Sequence, residues 1–488
     1  MSVTPCSINL FQDKEYLTQL LLAGQQKSRE TGHQHFVSIS QKISAIDPLL
    51  ALELLTTPEQ HYFYLENPVQ RQAIAGIGAV SVGNINLVNR FQKSQEFISQ
   101  CQSRTTSVGD LHLQGAGTHF FCGFSFFSDV ENSSSPFTST TIFLPKWQIH
   151  RQPEYCLLVA NLGITYQSNI SYLVDSLVKG ANKIIYLCHS TYLGSIQSLS
   201  LEESNQRESN QKIDSYTQEF KSAVISALNS INQGKFQKIV LAQIRELVAK
   251  YPLSMVSSLH NLRSQYPDCY TFAISNGRGY TFLGASPERL ISIKQQKLVT
   301  DALAGSAPRH SNSSLDHKIG EALLNNSKER NEHQTVVDFI DRSLRELNLQ
   351  PQRATFPQLL KLSNIQHLWT PIFAPLDHNL HPLEIIAKLH PTPAVAGTPQ
   401  EIVSAEIRKY EQFDRGLYAA PIGWIDSRGN SEFIVAIRSC LIHGCHATLY
   451  AGAGIITGSD PDQELAEITL KFQPLLQALA VSENDFIP

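Results

Sequence analysis

YAGAGIITGSDPDQELAEITLK, residues 450–471, opens as a strand, passes through a glycine-bearing turn and starts a helix. Asp460 stands where an N-cap side chain accepts a backbone N–H. Pro461 stands at the first helical position, where its missing N–H is not needed. Gln463, three residues after the cap, has the spacing of a capping box. Glu464, Glu467 and Lys471 follow i, i+3, i+7 and share one helix face. Leu465, Ile468, Phe472 and Leu475 form the neighbouring apolar stripe. Two carboxylates and an ammonium beside a buried stripe suit a site for a metal and an anion. A solvated face with an i, i+4 Glu467–Lys471 pair has the same spacing, so other segments must decide.

The chain has 488 residues, with 42% hydrophobic and 17% charged side chains, which are globular values. That length allows about three domains or one large composite fold. A net charge of −4 gives no general attraction for nucleic acid or an anionic membrane, and no apolar run approaches a membrane span. An anionic small ligand must therefore be held by a few local cations. The eight cysteines form no CxxC pair and read as reduced thiols of a cytoplasmic protein. Cys440, His443, Cys445 and His446 lie together, but their spacing matches no usual zinc finger. The opening residues, MSVTPCSINLFQDKEY, lack the basic and apolar regions of a signal peptide.

Residues 1–197 read as an N-terminal half of mixed strands and helices, with HFFCGFSFF (119–127) as a strand packed on both sides. His33 and His35 read as surface histidines. Residues 198–214, rich in Ser, Asn, Gln and Glu, read as a polar linker. Residues 215–488 carry the candidate chemistry. Strands are expected over 236–249, 298–304, 362–367, 419–425, 432–441 and 447–451, with a hairpin turn at Asn276-Gly277. A loop is expected over 305–312 and one long helix over 315–347. Strands outnumber helices without strict βαβ alternation. The expected class is α+β: mostly antiparallel sheets facing each other, with helices outside, in an α/β/β/α layering.

Several side chains have a chemical and a bland reading. Lys238 precedes the apolar run Ile239–Ala242. Pointing inward it would be desolvated, with its pKa lowered toward that of a usable base; at a strand end in water it would be ordinary. Glu288, in SPERL, is a general acid if it sits in a partly apolar pocket and a turn carboxylate if it pairs with Arg289. Glu329 and Glu332 repeat the ExxE spacing of Glu464 and Glu467 on a separate helix. Facing one another, the two pairs would make an oxygen cage for a hard divalent ion such as Mg²⁺. His367 reads as a core histidine or a proton carrier. Arg438, expected mid-strand among apolar residues, needs an anionic partner such as a substrate carboxylate. The proline-rich stretch 389–400 and the small residues Gly452 and Gly454 let backbone groups approach a ligand.

These segments resemble the chorismate-utilising enzymes, and among them the isochorismate synthase branch. The resemblance rests on KIVLA, ASPERL, ALAGSAPR, KERNEHQ, IQHLWTPI, LHPTPAVAG, FDRGLYAAPIGW, FIVAIRSCLI and the 450–471 stretch. They run in the family's order from Lys238 to Lys471. GIGAVSVG and FCGFSFF look like the family's N-terminal half. No glutamine-amidotransferase segment accompanies the match. The resemblance implies a Mg²⁺-dependent isomerisation of chorismate to isochorismate, in which water attacks ring carbon 2 as the carbon-4 hydroxyl leaves. By the same resemblance, Lys238 activates the water and Glu288 protonates the leaving hydroxyl. Glu332 and Glu467 ligate the metal, with Glu329 and Glu464 beside them or bridged by water. Arg438, Lys471, Tyr418 and the backbone at Gly305 and Gly452 bind carboxylates, and His367 lies near the ring. Gln243 and Ala396 depart from the family's usual arginine and glycine without touching these roles.

A salicylate synthase would carry the same lysine and glutamate and go on to eliminate pyruvate. A silent chorismate-binding subunit would have lost the base, the acid or the metal ligands, all of which are present. Ammonia-using relatives lack the lysine. Isochorismate would serve naphthoquinone, siderophore and salicylate routes alike. The expected state is a monomer, with a homodimer as the alternative. Four clustered glutamates without a cation are expected to repel and leave the site loose.

Overall fold

The computed structural model describes residues 9–85, 88–128, 135–189, 210–363, 365–376 and 380–479. The expected linker lies outside the described residues as far as 209; from Asn210 to Asn232 the chain is helical. No described helix is long and apolar enough to cross a membrane.

All described strands join one hydrogen-bonded network, and the long strand Thr140–Arg151 is its fork. One side of it pairs along its length with Gln72–Ile85. The other side pairs first with His119–Phe124 and then with Cys156–Ile164. Pro145 stands between those two partners, and opposite it the pairing with Gln72–Ile85 shifts register between Ala79 and Ser81. From Gln72–Ile85 a first arm continues through Tyr62–Asn67, Tyr270–Ser275, Thr281–Ser286, Ser439–His443, His446–Ile456 and Lys238–Val248. From His119–Phe124 a second arm continues through Pro421–Asp426, Ser431–Val435, Arg289–Lys294, Lys297–Pro308 and Ile365–Pro375. These pairings are antiparallel. A parallel one joins His35–Ile43 to Thr105–Gly109.

The arms pack face to face. Phe63 of the first stacks on Phe121 of the second, with ring centroids 4.4 Å apart, a contact worth about 0.5–1.5 kcal/mol beyond its buried area. Space for the Phe121 ring exists because residue 76 is glycine: a Cβ there would lie 2.1 Å from it. Helices cover the outer faces. Pro461–Ala478 lies on His446–Ile456, Met255–Gln265 on the neighbouring strands of the first arm, and Ser327–Glu346 on Lys297–Pro308 and Ile365–Pro375 of the second. This is the expected α/β/β/α layering.

Four local expectations change. The helix expected over 315–347 is two, Ser313–Asn325 and Ser327–Glu346, because the Asn326 side chain turns back to accept from the N–H groups of Lys328 and Glu329. The strand expected over 432–441 is two, Ser431–Val435 and Ser439–His443, which belong to different arms. The loop expected from 305 is strand as far as Pro308, with a bulge at Gly305. His35 is buried and bonded to Thr106 Oγ1 at 2.8 Å, unlike the exposed His33.

Candidate active site

Two of the chain's crossings between the arms lie side by side. Pro287 and Glu288 carry it from Thr281–Ser286 to Arg289–Lys294. Ala436, Ile437 and Arg438 carry it back from Ser431–Val435 to Ser439–His443. Backbone bonds lock the crossovers together: Val435 N–H donates to Glu288 O at 3.0 Å, and Ala285 N–H to Arg438 O at 3.1 Å. Ser286 Oγ donates to Val435 O at 2.6 Å. Glu288 and Arg438, 150 positions apart in sequence, are thereby brought together. Arg438 holds φ +50°, a left-handed conformation that a non-glycine residue keeps only where its surroundings impose it. The expected mid-strand arginine is therefore a corner arginine.

Glu288 is buried, and its carboxyl is pushed up to about 8. Burial is the main cause, Asp301 adds to it, and Lys238 opposes it. It is not paired with Arg289, whose Nη2 is bonded to Asp301 at 2.9 Å. Lys238 opens its strand with 5% of its surface exposed, so it is not a solvated strand end. Its amine donates to Glu332 Oε1 at 2.6 Å, a partner the sequence did not suggest. Residue 454 must be small for that pair, since a Cβ there would stand 3.2 Å from Lys238 Cε and 3.6 Å from Glu332 Oε1.

The two ExxE pairs do meet electrostatically. Burial, then the charges of Glu332 and Glu467, push the Glu329 carboxyl above its ordinary value, against Ser306 N–H and Lys328. Burial and the Glu467 charge likewise raise Glu464, against a hydrogen bond from Ser459 and the charges of Lys328 and Lys471. Burial would raise Glu332 too, but Lys238, with help from Lys328 and Lys471, brings it below its ordinary value. Lys471 Nζ stands 2.6 Å from Glu467 Oε1 and donates to Gly452 O at 2.7 Å. Two of the four carboxylates are held by lysines, Glu332 by Lys238 and Glu467 by Lys471. Among the described residues no three His, Cys, Asp or Glu side chains stand close enough to hold an ion as they are placed. The donor set is nevertheless all hard oxygen, and like charge from neighbouring carboxylates adds to the raised values of Glu329 and Glu464. That chemistry fits a hard divalent cation.

The remaining predicted groups are linked by contacts, Gly305 to His367 to Arg438 and Tyr418 to Gly452 to Lys471. Gly305, at φ +73°, forms the bulge that aims its carbonyl at His367 Nδ1, 3.2 Å away. A carbonyl only accepts, so Nδ1 carries the hydrogen, and Nε2 is left to accept from Arg438 Nη2 at 3.4 Å. His367 is thus a neutral orienting group, pushed down to about 3 by burial and then by Arg438. Arg438 also donates to Cys269 Sγ at 3.8 Å. Tyr418 is buried, and burial raises its hydroxyl. A Cβ on residue 452 would stand 2.8 Å from that hydroxyl, so Gly452 lets it reach the strand. At the far end of the His446–Ile456 hairpin, His443 stacks on Tyr280 with centroids 4.0 Å apart. Sequence reasoning missed Glu411 and Arg415, a fully buried pair behind Lys238. Two opposite charges four apart were visible in the sequence, but Arg408, Lys409 and Asp414 beside them left the pair with no distinguishing signal.

Residues 21–480 match the family described as chorismate binding enzyme, and the chain belongs to that family. It is similar over nearly all of its length to the isochorismate synthase MenF of Bacillus subtilis, at 31% identity over 93% of this chain and 95% of that one. The salicylate biosynthesis isochorismate synthase of Pseudomonas aeruginosa is 40% identical over 55% of this chain and 56% of its own length. Among solved structures, the menaquinone-specific isochorismate synthase MenF of Escherichia coli superposes with a TM-score of 0.73 at 25% identity. It covers 94% of this chain and 99% of that one. Anthranilate synthase component I of Streptococcus pneumoniae shares the fold at a TM-score of 0.64 and 18% identity, over 89% and 92% of the two chains.

Proposed function

We propose that this protein is an isochorismate synthase that converts chorismate to isochorismate. The observation that carries the reading is Glu288, buried and held near pH 8 by its surroundings, within reach of the charge of the buried Lys238 amine. A carboxyl so raised is protonated at neutral pH and can donate. Lys238 removes a proton from the water that attacks ring carbon 2. Both ring double bonds shift by one position, the carbon-4 hydroxyl leaves, and Glu288 gives it the proton that makes it water. One water is consumed and one released, so the product is an isomer of the substrate.

Arg438, fixed by His367 and Cys269, and Lys471 hold the substrate's carboxylates, with the Tyr418 hydroxyl beside them. Glu332 and Glu467 would hold Mg²⁺, with Glu329 and Glu464 behind them. When bound, the ion supplies the positive charge that a dianionic substrate needs against four carboxylates. The test is incubation with chorismate and Mg²⁺ followed by chromatography. Isochorismate is the expected product. Salicylate with pyruvate would replace this reading by a salicylate synthase, and unconsumed chorismate would overturn it.

A further inference from the structure

The strand that carries Lys238 is closed on its free edge by side chains rather than by another strand. Lys238–Val248 is paired along its whole length with His446–Ile456. On its other side Gly397–Thr398 covers only Lys238 and Ile239. Val240 N–H still finds Ala396 O, at 2.8 Å. The next groups on that edge, Val240 O and Ala242 N–H, have no strand beside them among the described residues. Arg415 Nη2 donates to Val240 O at 2.7 Å, and Glu411 Oε1 accepts from Ala242 N–H at 2.7 Å.

The two side chains are joined to each other by two bonds, Nε to Oε2 at 2.9 Å and Nη2 to Oε1 at 2.6 Å. Arg415 reaches two further elements of the site. Its Nη1 donates to Val395 O, in the proline-rich stretch, at 3.0 Å, and its carbonyl accepts from Tyr418 N–H at 2.8 Å. The guanidinium lies 4.4 Å from the centre of the Phe126 ring, and the whole residue is 0% exposed.

Stability alone does not account for this pair. Well-packed apolar side chains of similar volume often hold a core as well as a buried ion pair does. Apolar side chains cannot, however, satisfy a carbonyl and an amide on a strand edge. We propose that Glu411 and Arg415 act as a positioning clamp for the base. They stand in for a missing neighbouring strand and fix the backbone of Lys238 relative to Tyr418 and the proline-rich stretch. The clamp deepens the isochorismate synthase reading and rests on it for its catalytic consequence.

The test is Arg415→Lys. Lysine keeps the charge but is a point donor, so it cannot span Val240 O, Val395 O and both Glu411 oxygens. Small misplacements of a catalytic group reduce turnover more than binding, so kcat is expected to fall by about tenfold or more while KM for chorismate stays within about threefold. Amide exchange across 240–242 should accelerate in the same variant. A folded Arg415→Lys protein with kcat and exchange like the parent overturns the proposal. Should the variant fail to fold, the parent decides: slow exchange at Ala242, on an edge with no strand beside it, supports the clamp, and fast exchange overturns it. If the parent itself leaves chorismate untouched, the functional reading falls, and the exchange comparison still judges the clamp.

Discussion

At the scale of single residues, a base and an acid are set apart by their surroundings. Lys238 is buried against Glu332, and Glu288 is buried beside Asp301. Lys238→Ala should lower kcat by about a hundredfold to ten-thousandfold, the range set by loss of a general base. Chorismate binding, measured by calorimetry with Mg²⁺, should persist because Arg438 and Lys471 are untouched. Glu288 must be protonated to act, so kcat should decline as pH rises through about 8, and Glu288→Gln should abolish that limb along with most activity. The same carboxyl has a stability consequence. It binds its proton more tightly in the folded chain, at about 8, than at the ordinary 4.5, so its contribution is full below 4.5 and is lost as pH rises through about 8. Glu288→Gln should therefore melt above the parent in alkaline buffer, by a margin that shrinks toward pH 5. Which lysine and which glutamate to test was legible in the sequence. That the lysine would be bonded to a metal-ligand candidate was not, because the two are 94 positions apart.

At the scale of elements, helix starts aim the carboxylates. Asp460 caps the helix that carries Glu464 and Glu467 by accepting from Asp462 and Gln463 N–H, as the local sequence indicated. Asn326 does the same for Glu329 and Glu332; its signal, Asn326 followed by Glu329, stood in the sequence between two helical patterns that read as one. Asn326→Ala should cost about 1 kcal/mol of local stability. If the carboxylates it aims hold Mg²⁺, the metal concentration for half-maximal rate should rise by about fivefold, the factor to which that energy corresponds. A metal titration unchanged from the parent would separate the cap from the site.

At the scale of the whole molecule, the site exists because two sheet arms leave a common strand and face each other. Their packing buries histidines that ordinary sequence patterns place indifferently inside or outside. His150, His367 and His390 are each pushed down to about 3, first by burial, and so are neutral in the folded chain. Unfolded, such side chains titrate near 6.5. Their contribution to stability is present above that pH and is lost as pH falls toward 3. Thermal midpoints followed by circular dichroism should therefore drop steeply below pH 6, and a flat profile down to pH 4 would contradict the burial.

The sequence by itself determined the local elements, the class of fold and the chemistry-bearing residue types, because caps, turns and apolar periodicity act over a few neighbours. It placed Arg438 in one strand and Gly305 in a loop, because a single chain does not reveal which strands pair or where it changes sheets. Only the tertiary structure decided that Arg438 turns a corner beside Glu288, that Lys238 meets Glu332, and that a buried Glu411–Arg415 pair takes the place of a strand. Each of those contacts joins segments through non-local hydrogen bonds and shared burial, which no short stretch of sequence contains.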